Sequence, residues 1–502
     1  LPSRRLQTES DATKESPKRS SHTSTSPNTP NMFRWGSLPK RWLSTTALFR
    51  KPASLAAANP PAMPDVPRSL TNEYFGNARL KQRTVPIQLR QSGDLGGDGI
   101  AVKGHRMLID ARTRKGPFFH LSQQAGAWCF THYNRMYHPR AIFTKEEGGL
   151  NAEYEQLTTK VAVINVAVER QICVKGPEAE EFVNMVITRN AKLIKPGTCK
   201  YVIMCNEKGG IMNDPVLLRL SKDEFWFSLA DSDAGFYLEG VNAMGKYNCT
   251  IEEIDVAPLS LAGPFAMDTM CNMIGKEVAQ DMPYFGLHET TINGCDVVVT
   301  RTGFSSEANF EIFLRDAHRD AELLYGAVME AGAEYGIREI CIPHHSRIEG
   351  GMLSWGQDID NEVNPFECGL GWQVNVKKKE YIGRDALLKI KEEGATHKLV
   401  GLRMGGNPID WYPSDFYHVR DGDELVGYVT SAWYSPNQKV NIALAMLPMD
   451  LTEEGTALHV SLPDEYASTP GMYDVAEVCA VPFKKIDSAE DRTGMSKTGT
   501  KV

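Results

Sequence analysis

The chain has 502 residues, 42% of them hydrophobic, with a formal charge of −8 at pH 7; that length exceeds one compact core and allows about three domains. The first 64 residues hold ten Lys or Arg and three Asp or Glu, which leaves 45 basic and 60 acidic residues beyond Pro64 and a charge of −15 there. That balance argues against a nucleic-acid or anionic-membrane surface, and no run approaches the roughly 18 apolar residues of a spanning helix, so neither nucleic acid nor membrane is expected as a partner.

Residues 1–66 read as a disordered leader. Within it, Met32 to Pro64 carries recurring Arg and Lys among hydroxyl and apolar residues and no acid. This is the composition of a mitochondrial transit peptide, with a plain basic tail as the other reading. Residues 1–31, rich in Ser, Thr and Pro, are upstream sequence or a disordered arm. The expected location is the mitochondrial matrix. Ten scattered cysteines without a CxxC propose neither a zinc site nor a disulfide framework and suit a reducing compartment.

The Gly-rich stretch Gln91 to Ile100 is a loop, because its glycines neither follow a clear strand nor open a helix. Val168 to Ile187 and Val256 to Gly275 share a design: a strand-like stretch runs through Gly-Pro into a helical one. Proline suits the first helical turn, where its missing N–H would be unpaired anyway. The recurrence marks either two related α/β units or a common turn used twice. Asp223 to Asp233 is an aromatic strand ending in acids. CDVVVTRTGF and NFEIFL follow as strands, and Ala317 to Ile337 as a helix with one apolar face. From about His397, short strand-like runs separated by turn residues predict a small all-β barrel.

Three constellations carry possible chemistry. In YVIMCNEKGGIMNDP, a hairpin across Gly209-Gly210 would set the phenol of Tyr201 and the carboxylate of Asp214 on one wall; ordinary turn chemistry is the competing account. In RTGFSSEANFEIFL, Glu307 sits in a small-residue turn from which a carboxylate can accept two N–H bonds from a heterocycle, while strand alternation turns Glu311 toward solvent. In HHSRIEGGMLSWGQDIDNEVNP, Arg347 and Glu349 precede two glycines that permit close backbone approach. DIDNE lacks the Gly and Glu of a calcium loop, His344-His345 lacks the HExxH spacing, and no metal is expected.

From about Val161 to Phe483 these segments, with YIGRDAL (Tyr381 to Leu387) and VGYVTSAWYSP (Val426 to Pro436), resemble the aminomethyltransferase family, the glycine cleavage T protein and its relatives. VAVERQICVKGPEA, MNDPVLLRL, WFSLADSD and SRIEGGMLSW are closer in wording to the tetrahydrofolate-dependent dimethylsulfoniopropionate demethylase branch. The resemblance implies an α+β, three-domain ring: two mixed α/β folate-binding domains and a small C-terminal β-barrel around a central folate channel. The expected boundaries are 1–66 for the leader, 67–395 for the folate-binding region, 396–490 for the barrel and 491–502 for a disordered tail. It further implies tetrahydrofolate as cofactor, with Glu307 holding the pterin, Arg347 holding the pterin or the substrate's charge, Tyr201 lining the channel, and Asp214 as the catalytic acid near N5.

Family T proteins usually show two adjacent acids after GGI. Asn213 stands at the first of these positions, which favours the demethylase-like branch. The expected activity is therefore transfer of a methyl group from a small-molecule donor such as dimethylsulfoniopropionate, with aromatic faces among Trp128, Tyr133, Tyr237 and Trp355 available to a sulfonium. The alternatives are aminomethyl transfer from a lipoylated carrier protein and, as a third reading, a non-catalytic folate-binding protein.

Overall fold

The computed structural model describes residues 111–484, apart from 244–246, 343 and 414, and the backbone of 101–102 and 105–106. The expected leader and C-terminal tail lie outside the described residues.

A short pair, Ala101–Val102 (β1) and His105–Arg106 (β2), precedes the hairpin Cys129–Tyr133 (β3) and Met136–Ala141 (β4). The chain then builds two sheets from Ala162–Asn165 (β5), Gln171–Lys175 (β6), Thr198–Tyr201 (β7), Val216–Arg219 (β10), Glu224–Ser228 (β11), Thr250–Glu253 (β12), Val256–Ala262 (β13), Leu287–Ile292 (β14), Cys295–Thr300 (β15), Asn309–Arg315 (β16) and Arg338–Ile340 (β17). A small hairpin, Met204–Cys205 (β8) and Ile211–Asn213 (β9), lies between β7 and β10. The five-stranded sheet runs β12-β6-β11-β10-β7, the six-stranded one β14-β15-β16-β13-β5-β17.

The run β6-β11-β10-β7 corresponds in order to β13-β16-β15-β14, so the two sheets repeat one plan. Each repeat opens at Gly-Pro, where the strand passes into the helix Ala179–Val186 or Ala266–Ile274. The glycine is obligatory at both turns: Gly176 and Gly263 have φ of +147° and +120°, and a Cβ would meet the Asn248 carbonyl at 2.7 Å and the Lys160 carbonyl at 2.5 Å. The leading strands are exchanged. β5, which precedes β6, pairs with β13 of the other sheet, and β12, which precedes β13, pairs with β6.

The sheets pack face to face through Cys173, Cys199, Leu218 and Trp226 on one and Val298 and Phe313 on the other. Their outer faces are covered by helices: Phe182 and Val183 pack on the first sheet, Met267, Met270 and Leu324 on the second. Among the described residues no helix is long and apolar enough to cross a membrane.

A closed six-stranded barrel follows, in the order His397–Met404 (β18), Val440–Pro448 (β21), Glu424–Ser435 (β20), Tyr417–Asp421 (β19), Ala457–Val460 (β22) and Asp474–Cys479 (β23). The helix His344–Glu349, buried at every residue, docks on β20. His345 stacks on Trp433 with the rings 14° apart, Arg347 donates to Ser431 at 2.5 Å, and Ser435 donates to Glu349.

Candidate active site

The cavity that unites the predicted residues has a volume of about 300 Å³ and lies where strands of both sheets end, closed by the hairpin β3–β4 and the loop after the helix His344–Glu349. Tyr201, Asp214 and Arg347 line it; Glu307 does not.

The hairpin read from GGIMND forms as expected. Asn206 turns it by accepting from the Lys208 and Gly210 N–H groups, and Gly209 takes φ +87°. Gly210 must lack a side chain, since a Cβ would fall 1.9 Å from the Asn361 carbonyl. The return strand pairs Val216 with Tyr201, and Tyr201 Oη donates to Asp214 Oδ2 at 2.8 Å. Asp214 Oδ1 is buried without a hydrogen-bond partner. Burial pushes the Asp214 carboxyl up to about 7, against the opposing Tyr201 hydrogen bond. A carboxyl of this kind changes charge near neutrality and keeps one lone-pair site for an incoming proton.

Asn213 does not face the reaction space. It is fully buried, donates to the Ala230 carbonyl and Ser232 Oγ, and accepts from the Ala230 N–H. It fixes the loop after β11.

Glu307 is placed elsewhere than the sequence reading put it. Its carboxylate takes Lys484 Nζ at 2.7 Å, tying the turn after β15 to the segment beyond the barrel. Two carboxylates that the sequence reading did not assign take its place in the cavity wall, Glu311 and Glu169. Glu311, read as solvent-facing, is buried. Alternation along β16 does hold, with Phe310, Ile312 and Leu314 on the helix-covered face; the opposite face meets the five-stranded sheet instead of water. Thr302 donates to Glu311 and Ser228 to Glu169 at 2.8 Å. Burial raises both carboxyls, and the proximity of Glu311 raises Glu169 further. Glu169 was legible only as an acid inside the apolar run VAVERQICV, on the crossing from one sheet to the other.

Arg347 reaches the wall with its donors already engaged. It pairs with Asp358 at 2.5 Å, with side chains 1% and 0% exposed, and also donates to the Met352 carbonyl and Ser431. Asp358 accepts from Thr430 and Ser431 as well, so DIDNE and VTSAWYS form one joint between the cavity loop and the barrel. His344 contacts Arg347, and His345 lies between Tyr154 and Trp433. Of the four aromatic candidates, Tyr133 and Trp355 line the cavity. Trp128 stacks on Trp411, and Tyr237 donates to the Cys205 carbonyl. Trp355 is held by its Nε1 donating to the Ile211 carbonyl at 2.9 Å.

A paired α/β body with a closed barrel and a buried, carboxylate-rich cavity is the frame in which the chain's relatives are recognised. The chain belongs to the glycine cleavage T-protein family: the GCVT N-terminal domain model matches residues 118–378 and the glycine cleavage T-protein C-terminal barrel domain model residues 397–483. It is 33% identical over 353 residues to dimethylsulfoniopropionate demethylase DmdA of Ruegeria pomeroyi, covering 70% of this chain and 94% of that protein. It is 29% identical over 320 residues to the aminomethyltransferase of Alkaliphilus oremlandii, covering 62% and 85%. The crystal structure of glycine cleavage system aminomethyltransferase T from Bartonella henselae shares the fold, with a TM-score of 0.65 at 22% identity over 74% of this chain and 98% of that one. The chain is therefore a transferase that uses tetrahydrofolate, and the non-catalytic reading falls away.

The cavity's residues fit a reduced pterin. Glu311 and Glu169 each receive one hydroxyl, and a carboxylate with remaining lone pairs suits the donor pair of a pterin's amide N–H and amino group. Tyr284, Phe285 and Phe304 supply aromatic wall.

Proposed function

We propose that the enzyme moves a methyl group from a small methylated cationic donor, such as dimethylsulfoniopropionate, to N5 of tetrahydrofolate. Asp214 carries this reading: it is the carboxylate that pairs a raised pKa of about 7 with an unpartnered buried oxygen. In the transfer the donor's methyl–sulfur bond breaks with its electron pair going to sulfur, the methyl–nitrogen bond forms, and the N5 proton leaves. Bound tetrahydrofolate supplies the nucleophilic nitrogen; Asp214 takes up the proton on Oδ1, and Tyr201 steadies the resulting carboxyl through Oδ2. A sulfonium methyl is already activated, so alignment and one proton acceptor suffice. Glu311 holds the pterin, in the role the sequence reading gave to Glu307, and the acid-rich wall with the faces of Tyr133 and Trp355 favours a cation by cation–π attraction of roughly 0.5–2 kcal/mol.

A second reading, aminomethyl transfer from a lipoylated carrier, is favoured by a wider chamber of about 940 Å³ that shares Tyr133, Arg140, Ser354 and Trp355 with the cavity and could admit a long arm. Mass analysis of the folate product after incubation with dimethylsulfoniopropionate separates the two. Methyl-tetrahydrofolate supports the first reading; methylene-tetrahydrofolate formed only with an aminomethylated lipoyl carrier supports the second. We further propose that the basic leader directs the chain to the mitochondrial matrix, which a fusion of residues 1–66 to a fluorescent reporter tests.

A further inference from the structure

Four arginines line the cavity and its adjoining chamber: Arg135, Arg140, Arg170 and Arg347. Three have a carboxylate. Arg135 pairs with Asp233 at 2.7 Å, Arg170 with Glu253, and Arg347 with Asp358 at 2.5 Å. Among the described residues Arg140 has none. Its half-buried guanidinium lies over the Tyr412 ring at 4.3 Å, and its own carbonyl accepts from Tyr412 Oη at 3.0 Å, so strand and ring fix the arginine while leaving its N–H fork unused. A planar guanidinium packed on an aromatic face keeps its edge available for a carboxylate. His138 and His344, on the same wall, are held neutral, chiefly by burial, so among the described residues Arg140 is the cation without a carboxylate partner facing a space lined by Glu169, Asp214 and Glu311.

We infer that Arg140 is the specificity residue for the donor, and that the donor is a small zwitterion whose carboxylate docks on Arg140 while its methylated cationic centre faces the acid wall. The inference rests on the transferase reading above and adds the second charge of the substrate. A folate glutamyl tail has the same carboxylate chemistry, but the p-aminobenzoyl group separates it from the pterin. Arg140 lines the same 300 Å³ cavity as Asp214, so a short molecule fits both ends better.

The test is titration calorimetry on the full-length protein with dimethylsulfoniopropionate, its methyl ester and trimethylglycine, without tetrahydrofolate so that no turnover occurs, for wild type, Arg140→Met and Arg140→Lys. Loss of a charge-assisted hydrogen-bond pair predicts that wild type binds at least one of the two acids about 10–100-fold more tightly than the Arg140→Met variant does. Dimethylsulfoniopropionate should be preferred over its ester, that preference should vanish in Arg140→Met, and Arg140→Lys should recover part of it. Tetrahydrofolate affinity, titrated separately, should stay within about twofold. The inference is overturned if wild type binds neither acid, if acid and ester bind alike, or if Arg140→Met weakens tetrahydrofolate while sparing tetrahydropteroate, which lacks the glutamate. Discrimination between acid and ester with no methylated folate product, once tetrahydrofolate is added, would instead sink the methyl-transfer reading and leave the Arg140 assignment standing.

Discussion

Replacing Asp214 with Asn separates the charge of this group from its shape. In the folded protein the carboxyl titrates at about 7, against about 3.9 for an unperturbed aspartate. Three units at about 1.4 kcal/mol each correspond to about 4 kcal/mol. The folded state holds the proton more tightly, so this contribution is complete below about pH 4 and is lost as pH rises through 7. About two of the three units fall between pH 5 and pH 7, or about 3 kcal/mol. Denaturant unfolding of wild type should therefore show stability falling across that window, whereas Asp214→Asn should lose that part of the slope and become the more stable protein at pH 8. Wild-type turnover should rise with pH until about 7 and then level; the variant should lose that rise, with a deficit of about 10²–10⁴-fold above pH 7 that shrinks as pH falls, as expected when a titrating proton acceptor is removed. Parallel stability curves for the two proteins would refute the raised pKa, and unchanged turnover would refute the proton role.

Glu311→Gln should weaken tetrahydrofolate at least tenfold in an equilibrium binding assay, as loss of a charged acceptor worth about 1.5–3 kcal/mol requires, while Glu307→Gln should leave it unchanged and cost about 1 kcal/mol or less from the partly exposed Lys484 pair; the reverse ranking would restore Glu307 as the pterin ligand. Arg347→Met leaves Asp358 buried without its cation and should cost about 3–5 kcal/mol, read from denaturant unfolding followed by tryptophan fluorescence; a loss below about 1 kcal/mol would show that the joint contributes little. Burial raises the Glu311 carboxyl in the free protein, and pterin donors favour its ionised form, so tetrahydrofolate should expel protons on binding and bind more tightly as pH rises toward that raised pKa. Calorimetry in two buffers of different ionisation enthalpy checks this, and equal heats would contradict it.

The sequence reading succeeded where a local rule decided the outcome. The Gly209-Gly210 turn set the register that joins Tyr201 to Asp214, and the switch to short alternating strands after His397 announced the barrel. It failed where a correct local rule needed a distant partner. Alternation put Glu311 on the face opposite Phe310 and Ile312, but only the facing five-stranded sheet turns that face into a buried wall. Glu307 had a suitable turn and the wrong neighbour, because Lys484 lies 177 positions away in the chain. Asn213 was read as a marker of the branch, and its structural role was not legible: its side chain braces Ala230 and Ser232, two residues that no spacing rule connects to it. Arg140 gave no signal: an arginine on a short strand looks like any surface arginine until the other three around the cavity are seen to be paired.

The exchange of β5 and β12 between the sheets bears on how the chain comes to be folded. When the ribosome has released the first repeat, β5 has no β13 to pair with, and β17, its parallel neighbour, is made later still. Pairings of such sequence separation close slowly, and unpaired edges in the meantime are sites of misassociation. A fragment ending near Asp255 would keep β12 on its own sheet and leave β5 without either neighbour, so the two repeats should behave as one cooperative folding unit. Cutting the chain between them should give two insoluble pieces rather than two domains.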